Sequence, residues 1–218
     1  MSDVTVSSAD RTPTRTALVE AALRLFGRKG YDAASTREIA AEAGANIAAI
    51  AYHFGGKEGL RRACVEAIGD RLSAIVGPPL PAPVGRAEAR VLLERVVRAA
   101  AMFLSTAAPA RDMVAFLLRE VSEDGPELDR IFATVVEPRH RHLCALWGAA
   151  TGTPPESEAT RLAVFAMVGQ VLYFRIGQPV VLRRMGWQAV SPDAAGRIGD
   201  LLVRNLHAAL TASERTTP

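Results

Sequence analysis

Cysteine is almost missing from this chain: Cys64 and Cys144 are the only two, they lie far apart, and they match no zinc or redox spacing. A disulfide framework and a zinc knuckle are thereby excluded, and a reducing compartment is the simple reading. Lysine is scarce as well; Lys29 and Lys57 are the only lysines among 26 basic residues, an arginine- and alanine-rich vocabulary that reflects genome composition rather than mechanism. No apolar run is long. The longest, Leu162 to Phe174, is broken by Gln170, bounded by Arg161 and Arg175, and shorter than the roughly 20 residues a bilayer needs. Met1 to Asp10 is polar, carries Asp3 and Asp10 and lacks an apolar h-region, so it does not read as a signal peptide. A soluble, cytoplasmic protein is expected. Alternation of apolar and polar residues, the mark of a strand, occurs only from Gln178 to Arg184. Paired carboxylates, a nucleophile–base motif, a P-loop and a dinucleotide fingerprint are all lacking, so no enzyme, no catalytic residue and no cofactor is expected.

What is present is helical periodicity in a globular composition. Hydrophobic residues make up 49% and charged residues 22% of 218, enough for one substantial core plus a small appended domain. The net charge of +3 permits nucleic-acid binding without arguing for it. A first helix is predicted from Thr14 to Lys29, with Leu18, Ala22, Leu25 and Phe26 as one buried stripe and Gly30 as its stop. Ser35-Thr36-Arg37-Glu38 reads as a capping box opening a second helix that presents Ile39, Ala40 and Ala43 and ends at Gly44. Asn46 caps a third, Ile47 to His53. Gly55 and Gly56 then break the chain before a fourth, Lys57 to about Val76.

The stretch Gly77-Pro78-Pro79-Leu80-Pro81-Ala82-Pro83-Val84-Gly85 cannot be helical and reads as a semi-rigid spacer. Five further helices are predicted: Arg86–Ser105, Ala110–Glu123, Glu127–Ala150, Glu156–Gly177 and Pro192–Thr211, with Pro138 kinking or splitting the third. The domain plan is a flexible 1–12, a first helical unit 13–60, a connecting helix to about 76, a spacer 77–85 and a second helical unit 86–212.

Residues Ser35 to His53 have the layout of a helix-turn-helix, with Gly44 in the tight turn and Ala40 and Ala43 where two helices must approach. Ile39, Ile50 and Phe54 supply the core beneath, so the third helix can lie in a major groove with Ile47, Ala48, Tyr52 and His53 outward. An ordinary helical hairpin would explain the capping box alone, and Tyr52 and His53 would each also suit a domain junction. The ordered run Tyr52-His53-Phe54-Gly55-x-Lys57-Glu58 favours the DNA-binding reading.

At these residues the chain resembles the TetR family of transcriptional regulators. The match runs through Ala21-Ala22-x-x-Leu25-Phe26-x-x-x-Gly30-Tyr31, then Thr36-x-x-Glu38-Ile39-Ala40-x-x-Ala43-Gly44, then Asn46-x-x-x-Ile50-x-Tyr52-His53-Phe54-Gly55-x-Lys57-Glu58-x-Leu60. Farther on, Gly169-Gln170-x-x-x-Phe174-Arg175-x-Gly177 and Leu182-x-Arg184-x-Gly186-Trp187 resemble the CecR-like (YbiH-like) branch. The resemblance implies an all-α, nine-helix, Ω-like homodimer: three N-terminal helices on operator DNA, a C-terminal ligand-binding and dimerisation domain, and the last two helices paired across the two-fold axis. It places Thr36 and Arg37 on phosphates, Ile47, Ala48 and Ala49 at base edges, and Tyr52, His53 and Lys57 as phosphate anchors, with Asn46 at the helix start. Two departures stand out. Ala51 takes the place of a common aromatic, and Gly56 that of a Ser or Asn cap.

Met102, Phe103, Met113, Phe116, Phe132, Trp147, Phe165 and Tyr173 are either plain core or, in part, the lining of an adaptable apolar effector pocket, the resemblance favouring the second. Arg175 is a candidate polar anchor there or one half of an interfacial ion pair. Ala163, Ala166, Gly169 and Leu172 share a face of one helix, and Ile198, Leu201, Leu202 and Asn205 share a face of the last; they suit a four-helix dimer interface or packing within the chain. His140 and His142, with Glu137 nearby, point to different helix faces and make no metal site, and Cys144 reads as buried filler. The expected function is a ligand-released repressor; the rival is a helical dimeric interaction protein without DNA binding.

Overall fold

The computed structural model of the chain describes residues 13–77, 85–122 and 127–216. The expectations for the N-terminus, 1–12, and for the spacer between Gly77 and Gly85 lie outside these residues. Helix α1 (Pro13–Lys29) opens on a proline, whose fixed φ suits a first turn, and closes on Arg28 and Lys29, whose charges complement the helix dipole. The expected stripe of Leu18, Ala22, Leu25 and Phe26 is buried, but so are Val19, Ala21 and Leu23. A single stripe does not describe this helix. It is covered on one side by α2 (Thr36–Glu42), α3 (Ala48–Phe54) and α4 (Lys57–Val76), and on the other by α6 (Ala108–Ser122).

The C-terminal half is built around α5 (Arg86–Thr106), which packs against α8 (Glu137–Thr151), α9 (Glu158–Ile176) and α11 (Pro192–Thr216). Leu93 and Val97 of α5, Trp147 of α8, Val164 of α9 and Leu206 of α11 meet in its core. The helix predicted over Glu127–Ala150 is a single rod whose winding changes: α7 (Leu128–Ile131), a π-helical stretch (Phe132–Val136) and α8. Pro138 is the cause, because it offers no N–H to the Thr134 carbonyl. Arg139 supplies the missing donor, its Nη1 reaching the Thr134 and Val135 carbonyls at 2.8 and 2.9 Å. Its Nη2 also donates to the Gly69 carbonyl and, at 2.7 Å, to Ser73 Oγ, tying the rod to α4.

The segment that alternates like a strand, Gln178–Arg184, is instead helix α10 (Gln178–Met185). No strand exists among the described residues, so the alternation has no edge to pair with. Pro179 sits in the first turn, and Gly186, at φ +67°, closes the helix, with Trp187 N–H donating to the Leu182 carbonyl at 3.0 Å. With the bent rod counted once, the described residues form ten helices, one more than the nine expected. Helix α11 also outruns its predicted end at Thr211, because Glu214 in its last turns takes Arg86 and Arg90 of α5 at 2.9 and 2.7 Å.

The two halves meet along α1, α4 and α6. At Gly27 the approach is so near that a Cβ would stand 3.0 Å from the Phe116 nitrogen and 3.1 Å from the Ala115 methyl. Phe26 and Phe116 face each other there, ring centroids 6.3 Å apart. Beside them Arg61 of α4 and Glu120 of α6, both side chains less than a tenth exposed, form a two-pronged ion pair with Nε–Oε1 at 3.0 Å. The Arg61 guanidinium also lies 4.4 Å from the centre of the Tyr31 ring. A buried pair held this way tolerates its desolvation only while both partners remain. Glu120→Ala is therefore expected to destabilise the protein by about 3–5 kcal/mol; a denaturant midpoint unchanged from wild type contradicts this view of the junction.

Candidate nucleic-acid interface

The helix-turn-helix is fixed by short-range bonds that the sequence announces. Ser35 Oγ accepts the Glu38 N–H at 3.2 Å and Glu38 Oε2 accepts the Ser35 N–H at 3.0 Å, a complete capping box. Lys29 Nζ donates to Glu38 Oε1 at 2.7 Å, and Arg24 Nε to Glu42 Oε1 at 2.6 Å, so α2 is strapped to α1 at both ends. The Lys29 hydrogen bond, followed by those from Ser35, holds the Glu38 carboxyl down at about 2. Gly44, at φ +63°, has nothing within 4 Å of a would-be Cβ, so the turn requires its left-handed backbone rather than its small size. Ala45 N–H donates to the Ala40 carbonyl at 2.9 Å and closes α2. Asn46 Oδ1 then accepts the Ala48 N–H at 2.9 Å and starts α3.

Helix α3 has seven residues and buries only Ile50. Its outer face carries Ile47, Ala48, Ala51 and Tyr52, the last 85% exposed. Ala49 is half-buried and packs against the core, which leaves it a smaller share of any base contact than the resemblance implies. His53 is half-buried, its ring edge-on to Tyr52 at 4.9 Å. On α2, Thr36 is half-buried in the first turn and Arg37 stands exposed, unpaired among the described residues. Lys57 is not free: its ammonium lies 4.4 Å from the Tyr31 ring centre and donates to the Asp32 carbonyl at 3.3 Å. The contact of Arg15, which lies 5.3 Å from the Phe54 ring centre, and those of Tyr31 with Lys57 and Arg61 escape a reading of spacing, because a cation over a ring joins residues from distant turns. Gly56, at φ +129°, takes a backbone that disfavours any side chain, so it is more than the absence of a polar cap. The surface offered is small and apolar at its centre with polar groups around it. The chemistry of such a face matches thymine methyls and groove shape, and that of hydroxyls, guanidinium and helix N-termini matches phosphate.

The residues predicted to line one pocket do not converge. Met113 and Phe165 border an apolar cavity of about 240 Å³ between α4, α5, α6, the rod and α9. Trp147 borders a separate cavity of about 220 Å³ beside α11. Phe116 packs on Phe26 at the junction, Phe103 is half-buried against the core, and Met102, Phe132 and Tyr173 are exposed. Arg175 lines a third, polar cleft. Of the predicted dimer residues, Ile198 and Leu202 are buried within the chain itself and so correct that expectation; Ala163 and Leu172 are half-buried, and Ala166, Gly169, Leu201 and Asn205 are exposed. Asn205 Nδ2 donates to Gln170 Oε1 at 2.9 Å across α11 and α9.

Helix α9, 19 residues long, is apolar enough to cross a membrane by length and composition. Its buried residues are Thr160, Val164, Met167 and Val171, while Leu162, Phe165, Tyr173 and Ile176 stay exposed on the single chain. His140 stacks on Phe165 with ring centres 3.9 Å apart, and no cluster of three metal-ligating side chains exists among the described residues.

Comparison with known proteins matches residues 18–64 to bacterial regulatory proteins of the tetR family, and residues 89–213 to the C-terminal domain of the HTH-type transcriptional dual regulator CecR. The chain is 36% identical over 185 residues to the dual regulator CecR of Shigella flexneri, covering 81% of this chain and 82% of that one. It is 27% identical over 180 residues to the regulatory protein RaaS of Mycobacterium tuberculosis, with 81% and 78% covered. Among solved structures, a putative transcriptional regulator from Pseudomonas aeruginosa PAO1 superposes with TM-score 0.62 at 21% identity, covering 98% and 99% of the two chains. The TetR family regulator PfmR from Thermus thermophilus does so with TM-score 0.60 at 24% identity, covering 89% and 97%.

The Glu38 carboxyl gives a direct check on the strap between α1 and α2. Because its folded value is depressed, its contribution to stability is present above the ordinary value of 4.5 and is lost as pH falls toward about 2. Carbonyl-detected NMR is expected to place its midpoint near 2, and Lys29→Met to move it upward toward 4.5. A midpoint indifferent to that substitution removes the Lys29 bond from the account.

Proposed function

The chain belongs to the TetR family, with a C-terminal domain of the CecR type, and is a DNA-binding transcriptional regulator; from this we propose that it grips a palindromic operator as a homodimer and lets go when a small effector binds. The family consists of regulators rather than enzymes. What carries the reading is the outer face of α3: a short helix, locked by caps at both ends, whose most exposed large side chain is Tyr52. Ile47 and Ala48 meet base edges, with Ala49 behind them. Thr36 and Arg37, at the start of α2, meet phosphate, and Asn46 holds the entry to α3 through its own cap. Tyr52 and His53 anchor the backbone alongside. Lys57 reaches a phosphate from its seat on Tyr31 without losing the ring contact.

A second copy covers the exposed apolar face of α9, where Leu162, Phe165, Ala166 and Gly169 would otherwise stand in water. Leu201 and Asn205 of α11 extend that face. The apolar cavity between α4, α5 and α9 takes the effector. It is walled partly by α4, the helix that runs directly out of the DNA-binding unit, so filling it shifts the spacing of the two α3 helices. Repression is the family's prevailing mode, and a cytoplasmic protein follows from the same membership.

Selection of bound fragments from the encoding genome by purified, ligand-free protein tests this. Enrichment of palindromes is expected, with half-site centres about 10 base pairs apart or a multiple of that. Tyr52→Ala is expected to weaken binding to all of them about three- to tenfold, and Arg37→Ala to lower the slope of affinity against salt by about one. A purified dimer that prefers no genomic fragment over random DNA leaves the interaction-protein reading instead.

A further inference from the structure

Three arginines from three helices, Arg28 of α1, Arg111 of α6 and Arg175 of α9, line one cleft of about 800 Å³ between α1, α6, α9 and α10. Among the described residues none of the three makes an ion pair, although Arg24 on the same wall of α1 is taken by Glu42. One carboxylate, Asp112, lines the cleft with them. Two more, Glu20 and Glu42, lie near enough to influence Asp112, but Glu20 is engaged by Arg71 and Glu42 by Arg24. The cationic excess is therefore left open. Arg28 and Arg111 are exposed, whereas Arg175 and Asp112 are half-buried: burial, and then the neighbouring Arg111, lower the basicity of Arg175 against the pull of Asp112, while burial raises Asp112 against the pull of Arg24 and Arg111. Ser105, almost wholly buried at the cleft wall, has a hydroxyl without a hydrogen-bond partner among the described residues. Its carbonyl accepts Gln178 Nε2 at 3.1 Å, which pins the start of α10 over the same space. Ala107, Ala108 and Ala115 supply a small apolar floor.

Gathering like charges in a half-sheltered cleft raises the free energy of the folded chain, and a bound anion removes that penalty. Guanidinium groups on separate helices suit the several oxygens of one oxyanion, or of two on a single molecule. We propose that this cleft is a second ligand site, for a small organic dianion, a phosphate ester or a dicarboxylate, clamped by Arg111 and Arg175 with Arg28 as the third arm. The site is separate from the apolar cavity, and its ligand touches α1 and the C-terminal half at once. Its consequence for DNA release rests on the regulator reading, whereas the binding itself does not.

Calorimetric titration of the full chain with phenyl phosphate and with phthalate tests the site, with benzyl alcohol as the neutral probe. Saturable binding of at least one dianion is expected, the tighter of the two identifying the headgroup, and none of benzyl alcohol. Arg111→Gln or Arg175→Gln is expected to weaken it about tenfold or more, while Arg95→Gln, on the exposed face of α5, leaves it unchanged. Thermal melts of the two cleft variants check that they fold, and relief of repulsion is expected to keep their Tm at or above wild type. The absence of saturable dianion binding, or binding that neither substitution reduces, overturns the proposal. DNA affinity measured on the same samples keeps either result distinct from a failure of the regulator reading.

Discussion

Helix α1 is packed on two sides at once, and the rest of the architecture follows from that constraint. One side carries the helix-turn-helix, and the other lies so close to α6 that a Cβ at Gly27 would press within 3.0 Å of its backbone. A recognition helix of seven residues with a single buried side chain has no stability of its own. Its position is inherited from its packing on α2 and α4, the first strapped to α1 by the Lys29–Glu38 and Arg24–Glu42 bonds and the second tied to α6 by Arg61–Glu120. The same helices wall the cavities. A shift of α4 or α6 thus has a contiguous packed route to α3.

The N-terminal half was legible because its determinants are local. A capping box, a turn glycine and an apolar spacing are each readable within a few residues, and Ser35, Gly44, Asn46 and Ile50 all take the roles their neighbours imply. What was not legible depends on partners far along the chain. Arg61 and Glu120 are 59 positions apart, and Glu214 reaches back to Arg86 and so lengthens α11. Alternation at Gln178–Arg184 imitated a strand because only the absence of a partner strand distinguishes the two, and local pattern does not contain that fact. The aromatic and methionine residues were a poor guide to the cavities for a related reason. Composition identifies adaptable side chains, whereas Phe116 at the junction and Tyr173 on the surface owe their places to which helices happen to flank them.

Charge is distributed in a way the modest total of +3 conceals. The centre of α3 is nearly neutral, Arg37 stands exposed in the first turn of α2, and a knot of guanidinium groups gathers where the C-terminal end of α1 meets α6 and α9. Such an α3 suits readout by shape and methyl contacts, with the flanking polar groups suited to phosphate. The two cysteines take no part. Burial drives the Cys64 thiol far above its ordinary range and pushes that of Cys144 up to about 11, so neither is a ready nucleophile.

That inertness permits a direct measurement of the central claim, that paired α3 helices face DNA at a spacing set through α1 and α4. A nitroxide attached in an Ala51→Cys variant, on the exposed face of α3, reports the distance between the two helices of a dimer by pulsed electron resonance. In the ligand-free dimer one population near 35 Å is expected, about a helical turn, giving way to a different distance when effector is added. No dipolar coupling between chains, or a distance indifferent to effector, contradicts it.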